Sequence, residues 1–277
     1  MPARNCKQLY DDGFRTSGLY NIMPRSSNSA TPTRNIVVYC DMSLQGGGWT
    51  VIQRRVDGTV NFNRDWVDYK MGFGNLEGNF WLGLDNIVLL TNDFNMELYV
   101  GLSCFGCSDV AVFAKYSQFS LAPEWPLNYQ LKVSGFEASS TVGDSFAIHN
   151  GQSFSTPDKD NDASLLTNCA QVYSSGWWFN SCYDANLNGV YQKQAYDLSG
   201  KGIQWHSWLG KNALMQSVTE TVTSLVSICQ LGVICLWLDQ CHNLAPLEGK
   251  GGYDGKVSNT IKYAVVSCHY IPGIVTS

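Results

Sequence analysis

Asp158, Asp160 and Asp162 stand at alternate positions at the head of DKDNDASLLTNCAQVYSSGWWFNSCYDANLNGVY, the stretch from Asp158 to Tyr191. Carboxylate oxygens are hard ligands, and a cluster of them suits Ca²⁺ better than a metal that prefers sulfur or imidazole. Cys169 and Cys182 follow, with Trp177, Trp178 and Phe179 between them, and the stretch leaves through Asn186-Leu187-Asn188-Gly189. A bridge between those cysteines would close a short loop and hold the oxygen ligands beside it. The string reads as a stapled calcium-and-ligand site, with an acidic turn ahead of an ordinary buried disulfide as the plain alternative. An EF-hand is excluded, because its required Gly would fall at Ala163 and its terminal Glu at Cys169.

Other residues that could carry chemistry have simpler readings. His149 and His206 have no second ligand at metal spacing and read as structural. Trp177, Trp178, Trp205 and Trp208 read as core. Cys104-Phe-Gly-Cys107 has the spacing of a redox pair, but it lies between two strand-like runs and not at a helix start. A hairpin-tip disulfide between Cys104 and Cys107 is the expectation. No nucleophile elbow or Gly-rich phosphate loop occurs, so no enzymatic activity is expected.

The elements that must hold such a site are mostly strands. Asn35 to Met42 and Gly48 to Arg54 are β-branched and aromatic runs separated by a Gln-Gly-Gly turn. Phe94 to Leu102 alternates cleanly, Val110 to Tyr116 follows, and Tyr129 to Val133 alternates again. Short connections between alternating strands imply antiparallel pairing, since parallel strands need long crossovers. Short helices are expected around Arg64 to Lys70 and Asn86 to Thr91. Gly and Asn are so frequent between Asp144 and Gly202 that much of this part reads as ordered, functional loop.

Composition agrees with a disulfide-containing extracellular module. The 277 residues carry ten cysteines and nine tryptophans, and charged residues are only 15%. The net charge of −5, with no Lys/Arg cluster, gives no electrostatic footprint for nucleic acid or anionic lipid. The first residues, MPARNCKQLYDDG, have no apolar segment or cleavage site, so a secreted domain without its leader is expected.

Several long strings together resemble the fibrinogen-related domain, the globular module shared by fibrinogen chains, ficolins, tachylectins, tenascins and angiopoietins. They are Cys6 with Ser17 to Ile22, Val38 to Met42, Gly46 to Gly58, Asn61 to Gly83, His149 to Thr156, GWWFNSC, NLNG and Lys201 to Trp208. The resemblance covers residues 5–223 and leaves 224–277 as an extension of unknown structure. It implies an α+β fold built on a twisted antiparallel sheet, with short helices and a loop-rich calcium- and ligand-binding part. It also implies disulfides Cys6–Cys40 and Cys169–Cys182.

Carried over residue by residue, the resemblance puts the Ca²⁺ carboxylates on Asp160 and Asp162. Backbone carbonyls near Ser164 and Leu166 and waters would complete the shell, and Asp158 becomes an outer charge. The ligand pocket of the lectin-like relatives lies beside the second cysteine pair. There a cis peptide, here Ser181–Cys182, exposes main-chain N–H groups at Cys182 and Tyr183 to an acetyl oxygen. Tyr173 matches a pocket aromatic. Tyr183 stands where acetyl-binding relatives carry His, Ser199 where they carry Tyr, and Lys211 where one carries Trp. Gly200 takes the place of the acidic residue that meets a cationic peptide terminus in fibrin-type binding.

The extension is a puzzle of its own. Ser224 to Leu238 is strongly apolar but short of the roughly 20 residues of a membrane helix, so no membrane span is expected. Cys229, Cys235, Cys241 and Cys268 follow no zinc spacing. The resemblance implies two functions. One is a secreted, calcium-dependent pattern-recognition lectin for acetylated or other microbial or host surface glycans in innate immunity. The other is a protein-binding module of the angiopoietin, tenascin or fibrinogen kind. Without a collagen-like or coiled-coil stem in this sequence, a homo-oligomer would have to form through the domain or the extension.

Overall fold

The structure, a computed structural model, describes residues 2–24, 34–92, 96–104, 112–192, 199–210 and 215–224. The extension past Ser224, which itself ends a described strand, lies outside the described residues, as do Cys107, Lys211 and the Cys104–Cys107 pairing. The strands are β1 (Gly18–Ile22), β2 (Ile36–Asp41), β3 (Trp49–Arg55), β4 (Phe73–Gly74), β5 (Phe80–Trp81) and β6 (Met96–Cys104). They continue with β7 (Val112–Leu121), β8 (Leu131–Phe136), β9 (Ala185–Asn186), β10 (Gln204–Trp205) and β11 (Met215–Ser224).

The main sheet runs in the order β1-β2-β3-β11-β6-β7-β8, with β5 on β3 and β4 on β5, and every pairing is antiparallel. With a few short helices this is the α+β architecture. The last strand among the described residues, β11, is central in the sheet, between β3 and β6. Its alternation of Val and Thr suits a β-branched strand, and Val218, Val222 and Thr221 are fully buried. Glu220 is carried inward on the same face as Val218 and Val222 and faces Gln53 and Val100 across the two ladders.

Boundaries move where local chemistry demands it. The strand expected from Tyr129 begins only at Leu131, because Asn128 and Tyr129 have φ of +46° and +55°, which no strand accommodates. The helix expected from Arg64 begins at Trp66 and runs to Met71. Its Trp66 N–H donates to Asp158 Oδ1 at 2.9 Å, a cap supplied from far along the chain. The next helix is Leu84–Thr91. Gly83 before it has φ +101°, and a Cβ there would lie 2.7 Å from the Met71 backbone.

One aromatic cluster fills the space between the sheet and the loop-rich part. Trp81, Trp177, Trp178 and Trp205 are buried, with Tyr69, Phe146 and Phe154 packed among them. Trp178 Nε1 donates to the Tyr129 carbonyl at 2.8 Å and Trp205 Nε1 to Gly143 at 2.9 Å, so two polar handles are satisfied as the rings go under. These rings are core, and none is a platform for a sugar.

Candidate calcium site and ligand face

The acidic loop folds through a succession of side-chain-to-backbone bonds. Asp160 Oδ1 accepts from Asp162 N at 3.2 Å, and Asp162 Oδ1 accepts from Ser164 N at 2.8 Å. Asp162 Oδ2 accepts from Cys169 N at 2.8 Å, which ties the loop to the short helix Cys169–Tyr173. Asn161 turns inward, donating to Phe154 O and Ser155 Oγ. Asp158 faces away from this pair: its Oδ1 takes Trp66 N and the Thr156 hydroxyl, so it acts as a helix cap.

Asp160 and Asp162 thus share one loop, and no described cation pairs with either. Burial, then the charge of Asp160, pushes the Asp162 carboxyl above the usual range, against the lowering effect of its two main-chain donors. Neither the Ser164 nor the Leu166 carbonyl accepts a hydrogen bond among the described residues. Two carboxylates with no described cation partner and two carbonyls with no described donor are a set that fits Ca²⁺, with the ion supplying the missing charge. Among the described residues no group of three His, Cys, Asp or Glu could hold a metal, so any such site would draw on main-chain oxygen.

The neighbouring loop, 178–185, is fastened to the acidic loop and to the core. Cys169 and Cys182 are joined by a disulfide, as are Cys6 and Cys40, and Ala163 N donates to Asn180 O at 3.2 Å. The Ser181–Cys182 peptide is cis. His149 holds both ends of the loop from below. Its Nδ1 donates to Trp178 O at 2.7 Å, and its Nε2 accepts from Asp184 N at 3.2 Å and Ala185 N at 3.0 Å. Those partners fix the neutral Nδ1–H tautomer. Burial of the ring drives its pKa down to about 4.

The expected pocket residues come together in part. Tyr183 lies edge-on to Tyr173 with centroids 4.7 Å apart and leans on His206 at 5.0 Å. Its hydroxyl reaches Gly200 O at 2.5 Å and lies 2.9 Å from Gln204 Oε1. The hollow between Tyr173, Gly200 and β10 is therefore filled by this chain's own phenol. Ser199 is exposed, and its Oγ accepts from Lys201 N, so it builds no wall here. Cys182 N donates to no described residue. Three apolar side chains of the acidic loop and the helix Cys169–Tyr173 are exposed: Leu165 by 98%, Leu166 by 93% and Val172 by 43%.

Gln204, which the motif reading passed over, and His206, read there as structural, both pack against Tyr183. Gln204 lies on β10 and His206 opens the short helix His206–Leu209, with His206 Nε2 3.0 Å from Gln204 Oε1. Buried Trp205 takes the opposite side.

Comparison with known proteins agrees with this architecture. The family model described as "Fibrinogen beta and gamma chains, C-terminal globular domain" matches residues 2–225, and the chain belongs to that family. Human (Homo sapiens) fibroleukin is 45% identical over 212 residues, 75% of this chain and 46% of that protein, so the chain spans less than half of this relative's length. The fibrinogen-like globe domain of human ANGPTL2 superposes with a TM-score of 0.74 at 40% identity, covering 80% of this chain and 99% of that one. A lamprey fibrin D-dimer complexed with the peptide Gly-His-Arg-Pro-amide gives a TM-score of 0.73 at 31% identity, covering 93% of this chain and 79% of that one.

Proposed function

We propose that this chain is an extracellular, calcium-binding recognition module whose ligand is a protein surface, and that it has no catalytic role. The observation that carries the choice of ligand is Tyr183. Its ring is packed on Tyr173 and its hydroxyl on Gly200 O, at the position where the resemblance sets an acetyl-binding His. The exposed Leu165 and Leu166 of the acidic loop suit a partner that brings its own apolar surface. Extracellular placement is supported by two disulfides among the described residues. No helix among the described residues is long and apolar enough to cross a membrane.

A glycan-binding reading, with microbial or host surface sugars as ligands, has one observation in its favour. The Cys182 N–H follows a cis peptide and has no described acceptor, so it can meet a ligand oxygen at the edge of the filled hollow. In this reading innate-immune recognition would rest on contacts outside an acetyl pocket and on several weak sites acting together, as in a homo-oligomer.

A glycan array and a panel of purified extracellular protein domains, each probed with and without Ca²⁺, distinguish the two. The protein reading expects calcium-dependent binding to a protein domain that Leu166→Asp abolishes, with no acetyl-dependent glycan signal. Calcium-dependent binding to acetylated glycans alone would reverse the choice.

A further inference from the structure

A cleft of about 250 Å³ opens between the helix Leu84–Thr91 and the segment that leads into β8. Its inner wall is apolar, made by Val88, Leu89 and the buried ring of Tyr129. Its charged groups are of both signs. Asp85 and Arg34 both line it, yet no ion pair joins them among the described residues.

Each of these charges is instead hydrogen-bonded to a neutral partner, and Asp85 also feels the Lys70 ammonium. The Tyr129 hydroxyl donates to Asp85 Oδ1 at 2.5 Å, and Arg34 Nη2 donates to Asn86 Oδ1 at 2.5 Å. Glu124, the third ionisable group, is already satisfied: Oε1 accepts from Trp66 Nε1 at 2.8 Å, and Oε2 is paired with Lys70. Among the described residues that leaves one carboxylate with an oxygen that accepts no hydrogen bond and one guanidinium with further N–H donors, both lining an apolar wall. Opposite charges that share a cleft without meeting suit a ligand that carries both. Pockets for drug-sized ligands start near ~300 Å³, so this one suits something smaller.

We infer that this cleft binds a small zwitterion with an aliphatic side chain, an α-amino acid, through Asp85, Arg34, Val88 and Leu89. The ammonium meets Asp85, the carboxylate meets the Arg34 fork, and the side chain lies on Val88 and Leu89. The Tyr129 phenol stays protonated, its pKa raised by burial and by Asp85, so it keeps the carboxylate oriented as a donor. The cleft uses none of the residues of the acidic loop or of the cis-peptide loop, so this inference stands whatever those loops bind.

The test is a methyl and amide NMR titration of the full chain with three probes. L-Leucine is the zwitterion, leucinol keeps only the ammonium, and N-acetyl-L-leucine keeps only the carboxylate. Saturable shifts at Val88 and Leu89 with L-leucine are expected, and each half-charged probe should bind about tenfold more weakly or worse, as when a charge-assisted hydrogen bond is lost. Arg34→Gln and Asp85→Asn should each weaken L-leucine similarly. Arg34 is exposed, so Arg34→Gln carries the test alone if Asp85→Asn lowers stability. No saturable shift, leucinol binding as well as leucine, or an Arg34→Gln protein that binds unchanged overturns the inference.

Discussion

The Tyr183 phenol sits where it does because Gly200 has no side chain. Gly200 adopts φ +71°, and a Cβ there would stand 3.0 Å from the Tyr183 hydroxyl and 3.2 Å from the Tyr173 ring. The hydroxyl donates to the Gly200 carbonyl from the same side. One position thus supplies the space, the backbone conformation and the acceptor.

Gly200→Ala should destabilise the domain by about 1–2 kcal/mol, from a side chain forced into a left-handed conformation, and should move the Tyr183 ring resonances. Tyr183→Phe should cost about 1 kcal/mol through the lost hydrogen bond. Calorimetry with N-acetylglucosamine should find little binding to wild type and measurable affinity for Tyr183→His with Ser199→Tyr. Tight acetyl-dependent binding by the wild type would show that Tyr183 yields the hollow readily.

Calcium should raise the melting temperature, and a chelator should lower it again. At a free ion concentration of 100 times Kd the gain is about 2.7 kcal/mol by mass action. The metal-free loop has the opposite pH response from an ordinary paired carboxylate. The Asp162 pKa is raised, chiefly by burial, so its ionisation costs stability, which returns as the pH falls through the folded-state pKa. Asp160→Ala with Asp162→Ala should abolish the calcium shift; a shift that survives would move the ion elsewhere.

Glu220 gives a second pH signature from the middle of the sheet. Burial raises its pKa to about 8, from an ordinary value of 4.5. The folded state therefore keeps a proton that the unfolded chain releases, and stability falls between those two values at about 1.4 kcal/mol per pH unit. Above the folded pKa the loss is complete. Glu220→Gln should flatten this slope and melt higher than wild type at pH 9. Denaturation profiles of both proteins that run parallel from pH 5 to pH 9 would contradict the assignment.

His149 works in the acid direction. Its pKa is lowered to about 4 from 6.5, so the unfolded chain takes up a proton that the folded ring refuses. The stability it contributes is complete above pH 6.5 and is lost as the pH falls toward 4. The Asp184 and Ala185 amides, which donate to its Nε2, should exchange faster across that window and in His149→Ala at neutral pH. Unchanged protection at those two amides would remove His149 as the anchor of the loop.

Strand existence was legible because alternation in Phe94 to Leu102 and the β-branched runs near Val38 and Val51 report burial directly. The strand edge at Tyr129 was not, since a left-handed Asn-Tyr pair has no alternation to betray it. The acidic loop announced itself by type and spacing, yet the three aspartates do different work. Asp158 looks identical in sequence to its neighbours, and only its contact with Trp66 N, ninety-two residues away, makes it a cap. The filled hollow was half visible. Sequence reading reveals that Tyr183 departs from the lectin-like pattern and Gly200 from the fibrin-type one, but the two departures are a matched pair only in three dimensions.

The central place of β11 bears on how the protein is made. Synthesis runs from the N-terminus, yet β3 and β6 are joined only through β11, which leaves the ribosome after both of them. Until residue 224 has emerged, each of those strands presents a bare edge in a chain already rich in apolar and aromatic side chains. Nascent chains halted before Met215 are thus open to edge-to-edge association with one another. The sheet therefore closes only once β11 has emerged, and until then those two edges stay open.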